Sequence, residues 1–318
     1  MSRVFEALTR ATAAKQRQPE LSVEKIEGEG RTASAEQPLS ANGTAAVTGE
    51  TPVNRTNGTV HETHGFDLRV TGGEKSWQKK IEEWFFGWGL QHYSSYPIVA
   101  LERESLAAEQ YKILREQVKR LRAESGIKSF SVSSPVKRDG KTTVAVNLAA
   151  ALSLDYEEKV LLIDGDLRAP SIHGYFDAPQ SPGVTDYLDS SSKMELNSLV
   201  QETFLPGLRI LPAGKPSYLS SELLAKERMK QMMDEAQSEF PEHHIIIDSP
   251  PILSTPDPLV IARHVDGVLL VVRAGKTPRD YLTKALQSLN SSKVMGVVLN
   301  GADLGISSKY YYYSTNGA

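Results

Sequence analysis

The strongest constraint on the fold is an alternation, sustained from residue 129 to residue 299, of short apolar runs with longer helical ones. Ser129–Ser133, Lys159–Ile163, Leu208–Pro212, His244–Ile247, Gly267–Val272 and Val294–Leu299 have strand length, and several are apolar almost throughout. A strand that is apolar on both sides must be covered on both sides, as in a parallel sheet flanked by helices. Between these runs, Thr142–Leu154, Glu222–Ser238 and Pro278–Leu289 have the length and composition of helices. The alternation predicts an α/β domain, doubly wound on a mostly parallel sheet, over about residues 98–305. A further helix is expected over Glu104–Glu124, where Leu106, Tyr111, Leu114, Val118 and Leu121 form an apolar stripe and Gly126 ends it.

The remaining sequence reads differently. Residues 16 to about 80 are rich in Glu, Thr, Ser, Gly and Asn and poor in large apolar side chains, too poor to offset the entropy of ordering. Residues 1–97 are therefore expected to be largely disordered, with a short helix at Ser2–Ala11 and an aromatic patch at Trp84–Leu90. That patch is too short to cross a bilayer and suits docking onto the folded domain, a partner or a membrane face. The Asn-x-Thr matches at Asn42, Asn54 and Asn57 and the pair His61 and His64 read as chance features of a polar tract. No secretory signal or spanning segment is evident, so a cytoplasmic chain is expected. A net charge of −3 gives no reason to expect nucleic acid as a partner, and the absence of cysteine excludes thiolate chemistry.

Four segments carry chemistry. After the strand Ser129–Ser133, the loop Ser134–Gly140 leads through Gly140-Lys141-Thr142-Thr143 into a helix, the context of a P-loop. Backbone N–H groups at such a helix start face phosphate, Lys141 reaches the β- and γ-phosphates, and the Thr142 hydroxyl binds Mg²⁺. Asp139, Gly140, Lys141, Thr142 and Thr143 are the candidate nucleotide-binding residues of this loop. Pro135 stands where the strict motif has its first glycine. Next, Asp164-Gly165-Asp166-Leu167-Arg168 ends an apolar strand with two carboxylates, suited to holding Mg²⁺ or to taking a proton from an attacking hydroxyl. Arg168 is a further nucleotide-site candidate. Later, Ile245-Ile246-Ile247-Asp248 has the form of a Walker B strand, whose carboxylate helps hold Mg²⁺ with Thr142 and Asp164. Last, Tyr310, Tyr311, Tyr312 and Tyr313 stand consecutively in a tail, residues 306–318, that is expected to be flexible. A phosphoacceptor cluster or a docking patch would each account for them.

Taken together, these segments resemble the bacterial tyrosine kinases (BY-kinases), within the MinD/ParA-like P-loop class, over roughly residues 104–313. Asp248-Ser249-Pro250-Pro251, Asp257-Pro258-Leu259-Val260, Val265–Thr277 and Gly296–Asn300 carry the same resemblance. It implies ATP and Mg²⁺ as cofactors and autophosphorylation of Tyr310, Tyr311, Tyr312 and Tyr313, with Lys141, Asp164 and Asp166 catalytic. It implies service in capsule or exopolysaccharide synthesis, beside a separate transmembrane activator of the polysaccharide co-polymerase type that recruits the chain to the inner membrane face. It also implies a homo-oligomeric ring assembled through an E-x-x-R-x-x-R pattern, for which Glu109, Lys112 and Arg115 stand here. Lys112 replaces an arginine and loses its bidentate fork. The family loop usually reads P-G-E-G-K, whereas Lys137-Arg138-Asp139 precede Gly140 here, adding charge near the phosphates or altering their cradle. A partitioning ATPase shares this motif order, but Val136 occupies the position of its signature lysine. A non-catalytic nucleotide-binding regulator is the other alternative.

Overall fold

The computed structural model describes residues 97–102, 105–189, 194–289 and 293–302. The expectations for residues 1–96, including the aromatic patch Trp84–Leu90, fall outside the described residues. So do those for the tail, with Tyr310, Tyr311, Tyr312 and Tyr313. The strands are β1 (Ser129–Ser133), β2 (Lys159–Asp164), β3 (Gln201–Glu202), β4 (Leu208–Leu211), β5 (His243–Asp248), β6 (Gly267–Arg273) and β7 (Val294–Asn300). They form one seven-stranded sheet in the order β3-β4-β2-β5-β1-β6-β7. Every pairing is parallel except that of β3, which runs antiparallel to β4. The helices are α1 (Leu106–Ser125), α2 (Lys141–Ser153), α3 (Ile172–Tyr175), α4 (Val184–Leu188), α5 (Ser220–Leu224), α6 (Glu227–Glu239), α7 (Asp257–Ile261) and α8 (Arg279–Ser288). Among the described residues, no helix is long and apolar enough to cross a membrane.

Successive side chains of a strand point to opposite faces, and both faces are covered here. Val160 and Leu162 of β2, Ile246 of β5 and Leu269 of β6 pack in one cluster with Val118 of α1 and the buried residues of α2. Leu161 and Ile163 of β2 and Ile245 and Ile247 of β5 join a second cluster on the other face, with Tyr187 of α4 and Met229, Met232 and Met233 of α6. Beside it, Val268 and Leu270 of β6 meet Ala285 of α8. β2, β5 and β6 lack a polar–apolar alternation because neither of their faces meets water.

Local signals set the helix ends. The Ser105 side chain accepts a hydrogen bond from the Ala108 N–H at 3.0 Å, capping α1, and Gly126 ends it in the left-handed conformation at φ 69°. The single helix expected over Glu222–Ser238 is two helices, α5 and α6, separated by an extended Lys226 (φ −70°, ψ 153°). Neither glycine nor proline marks this break. It follows from tertiary demands: Ser220 and Ser221 at the start of α5 bond to Asp257, whereas α6 must turn to bury its three methionines against the sheet. Short β3 is likewise absent from the sequence expectation; two residues give no periodicity to read.

Core position should outweigh helix or strand identity in stability. Ile246→Ala, at a fully buried site on β5, should cost about 2–5 kcal/mol in urea unfolding. Ile113→Ala, at a 52% exposed site on α1, should stay within about 0.5 kcal/mol of the parent.

Candidate active site

Strand order assembles the site from segments far apart in sequence. β5 lies between β2 and β1, so the carboxyl ends of all three meet at one edge of the sheet. Asp164 pairs in register with Asp248, and Asp248 with Val132, one residue before the end of β1. In open parallel sheets this edge is where ligands bind. Gly165 is required there: its N–H donates to the Asp248 carbonyl at 2.8 Å, and a Cβ would lie 2.8 Å from that same oxygen.

The loop after β1 is held from several sides. Leu253 N–H donates to Pro135 O at 3.2 Å and Ile252 N–H to Ser134 O at 2.8 Å. Asp139 is buried, and its carboxylate accepts from the Thr277 hydroxyl at 2.8 Å and from Val136 N–H at 3.4 Å. The Asn300 amide, at the end of β7, donates to Asp139 O at 2.9 Å. Gly140 caps α2 at φ 93°, a conformation that favours glycine. Motif reading marks Asp139 but assigns no role to Thr277 or Asn300, which fix it; only the family resemblance touches their segments.

α2 begins at Lys141, whose ammonium lies 3.0 Å from Asp166 Oδ2 and 3.7 Å from Asp248 Oδ2. Thr142 Oγ1 donates to Asp248 Oδ2 at 2.6 Å. Asp248 Oδ1 is buried with no hydrogen-bond partner among the described residues. An unsatisfied carboxylate oxygen beside a threonine hydroxyl fits a hard cation such as Mg²⁺, which takes one or two carboxylates and otherwise water and phosphate. Asp164 is differently placed. Its Oδ1 accepts from Asp166 N–H at 3.2 Å, and its Oδ2 from Ser171 and Ile172 N–H, each at 3.0 Å. It therefore shapes the loop that presents Asp166, while Asp166 and Asp248 face the lysine.

Other expected groups take up positions of their own. The Arg168 guanidinium donates to the hydroxyls of Ser220, at 2.7 Å, and Ser221, at 3.3 Å, and lies 3.5 Å from Asp257. Ser220 and Ser221 both donate to the buried Asp257, so Arg168 ties the loop after β2 to α5 and α7. On α1, Lys112 pairs with Glu109 within the helix. Arg115 turns toward α2, with Nη1 3.4 Å from Ala151 O and Nη2 2.8 Å from Glu116. Thr143, the third residue of α2, has its hydroxyl 3.4 Å from the Tyr175 hydroxyl. The four expected phosphoacceptors, Tyr310, Tyr311, Tyr312 and Tyr313, lie outside the described residues, so the geometry of the site is that of its nucleotide side alone.

The electrostatics follow from burial. Loss of hydration, then the neighbouring Asp248, pushes the Asp164 carboxyl up to about 7. Asp248 is raised too, first by burial and then by Asp166, against the opposing pull of Lys141. Burial alone would lower Lys141, but Asp248, Asp166 and Asp164 together more than offset it, and its pKa is raised. A carboxyl raised in the fold is protonated there between its unfolded value of 3.8 and about 7, so its contribution to stability falls as pH rises through that window. Asp164→Asn removes this contribution. The stability of that variant relative to the parent, measured by urea unfolding without metal, should therefore climb from about pH 4 to about pH 7. A difference independent of pH would contradict the assignment.

A family model described as an AAA domain matches residues 138–288, which include Gly140-Lys141-Thr142 and all three aspartates. Tyrosine-protein kinase YwqD of Bacillus subtilis is 34% identical over 220 residues, 69% of this chain and 91% of that protein. Putative tyrosine-protein kinase CapB of Staphylococcus aureus is 32% identical over 212 residues, 66% of this chain and 91% of that one. Longer relatives are matched in part: the chain spans 28% of tyrosine-protein kinase ptk of Acinetobacter johnsonii. Among solved structures, the kinase domain of Escherichia coli tyrosine kinase ETK superposes with a TM-score of 0.59 at 27% identity, covering 71% of this chain and 90% of that domain. With a phosphate loop, paired strand-end carboxylates and near full-length kinase relatives in agreement, the chain belongs to the bacterial tyrosine-kinase family.

Proposed function

We propose that this kinase transfers the γ-phosphoryl group of ATP, with Mg²⁺, to the tyrosine hydroxyls of its own tail, Tyr310, Tyr311, Tyr312 and Tyr313. The observation that carries the reading is the meeting of Lys141, Thr142, Asp166 and Asp248 around an unsatisfied buried carboxylate oxygen. Backbone N–H groups from Asp139 to Thr143 cradle the phosphates, and Lys141 exchanges its contact with Asp166 for the transferring group. Thr142 and Asp248 hold the cation, with Asp164 behind them. Bound Mg²⁺ supplies neutralisation of charge on the β- and γ-phosphates. Asp166 orients the incoming phenol. Asp166, which faces the lysine, is also the carboxylate placed to take the phenolic proton, and the buried Asp164 positions it through the 3.2 Å bond from the Asp166 N–H. Catalysis rests mainly on positioning and electrostatics.

The proposal extends to assembly. Glu109, Lys112 and Arg115 lie on one helix and are offered as the ring-forming surface, through which a tail reaches a neighbour's site. Each phosphate adds about −1.5 to −2 charges, so the phosphorylated form should be monomeric and the unmodified form oligomeric. A separate transmembrane activator and a role in capsule or exopolysaccharide synthesis at the inner membrane face complete the reading by family analogy.

Incubation of the full chain with MgATP, followed by phosphopeptide mass spectrometry, tests it. Phosphate should appear on Tyr310, Tyr311, Tyr312 or Tyr313 and vanish with Lys141→Met. Nucleotide hydrolysis without phosphotyrosine would refute the autokinase reading. Light scattering of the two forms should give a smaller particle after phosphorylation.

A further inference from the structure

The phosphate loop carries Lys137 and Arg138, and a second segment gathers more positive charge beside them. The Arg273 guanidinium donates to Arg138 O at 3.3 Å. Arg273 opens a tight turn in which Lys276 and Thr277 N–H donate back to its carbonyl at 3.1 and 3.0 Å. Thr277 returns to the loop through its 2.8 Å bond to Asp139. Lys137, Arg138, Arg273 and Lys276 are therefore carried on two bonded segments, and all four are exposed. No described carboxylate forms an ion pair with any of them. The carboxylate between them, Asp139, is buried and committed to Thr277 and Val136. Like charges gathered on two bonded segments repel one another, and an anion with several charges relieves that repulsion.

The course of the chain indicates which anion. Ala274 N–H donates to Asn300 O at 2.9 Å, joining the same turn to the end of β7. At Gly301 a Cβ would lie 3.8 Å from Arg273 Cγ and Nε. Gly301, after which the sequence leads on to the tyrosines, thus lies beside Arg273 of the basic patch. From Ala302 to Tyr310 an extended chain spans about 26–29 Å, ample to bring a tyrosine back onto it. Residues 303–318 contain one acidic and one basic side chain, Asp303 and Lys309, and so carry no net side-chain charge until modified. Phosphorylation makes them complementary to the patch.

We propose that Lys137, Arg138, Arg273 and Lys276 form a receptor for the phosphotyrosine-bearing tail of the same chain. The proposal rests on the reading that Tyr310, Tyr311, Tyr312 and Tyr313 become phosphorylated. Before modification the tail has no charge with which to hold the patch; afterwards its phosphates engage the four cations.

The test uses synthetic peptides of residues 303–318, one unmodified and one with phosphotyrosine at positions 310–313, titrated by fluorescence anisotropy against the full, phosphatase-treated chain. The phosphopeptide should bind and the unmodified peptide should not. Lys276→Glu should weaken the phosphopeptide about tenfold, and Lys137→Glu added to it should weaken it further. Nucleotide affinity of the Lys276→Glu variant should stay at the parent value, which also reports that the chain is folded. Equal binding of both peptides, or no loss with either variant, would overturn the receptor. So would a matching loss of nucleotide affinity, which would assign the patch to the nucleotide's own phosphates. Because the peptide is phosphorylated by synthesis, failure of the chain to phosphorylate itself would leave this measurement unaffected and would be seen separately.

Discussion

Asp164, Asp166 and Asp248 stand at one edge of the sheet with a single lysine among them, and that imbalance governs the rest of the site. Two of the three are fully buried. Left alone, so much negative charge in a poorly hydrated place would be relieved by protonation. Lys141 provides one counter-charge, and its raised pKa keeps it ionised. The surplus of carboxylate remains, and the orphaned oxygen of Asp248 marks where it is concentrated. The site thus gathers more carboxylate than its one lysine balances.

The means of holding these groups apart from one another is the parallel pairing of β2, β5 and β1. Had β5 lain elsewhere in the sheet, Asp248 would face neither Thr142 nor Asp164. The register that aligns Asp164 with Asp248 is fixed by the apolar residues that precede them, which must reach both faces in alternation. Core packing and site geometry are in this sense one constraint, met by the same strands.

Much of this was legible in the sequence, and for a plain reason. β2, β5 and β6 are apolar on both faces, β1 alternates serine with Phe130 and Val132, and the phosphate loop sits between a strand and a helix, so local pattern gave β1 its observed bounds and placed α2 within one residue. Asp164 and Asp248 were recognisable as strand-end carboxylates on the same grounds. What pattern could not reveal were contacts between distant segments. Asn300 reaches Asp139 and Ser220 reaches Asp257 across long stretches of chain, and neither bond leaves a periodic trace. The break at Lys226 was hidden for a similar cause, since the residues that demand it lie on other elements. Arg168 could be expected near the nucleotide because of the motif around it; only the fold shows its guanidinium engaged by Ser220 and Ser221.

α2 is unusual among the helices in having every residue from Val144 to Ser153 buried. Most helices of a soluble domain keep one side in water and can tilt or fray at little cost. This one cannot, because any displacement opens a void against the sheet or against α1. Lys141 and Thr142 therefore ride on the stiffest element of the molecule. The loop at residues 134–140 is fastened in turn to the ends of β6 and β7 through Thr277 and Asn300, so the phosphate-facing groups share one fixed floor.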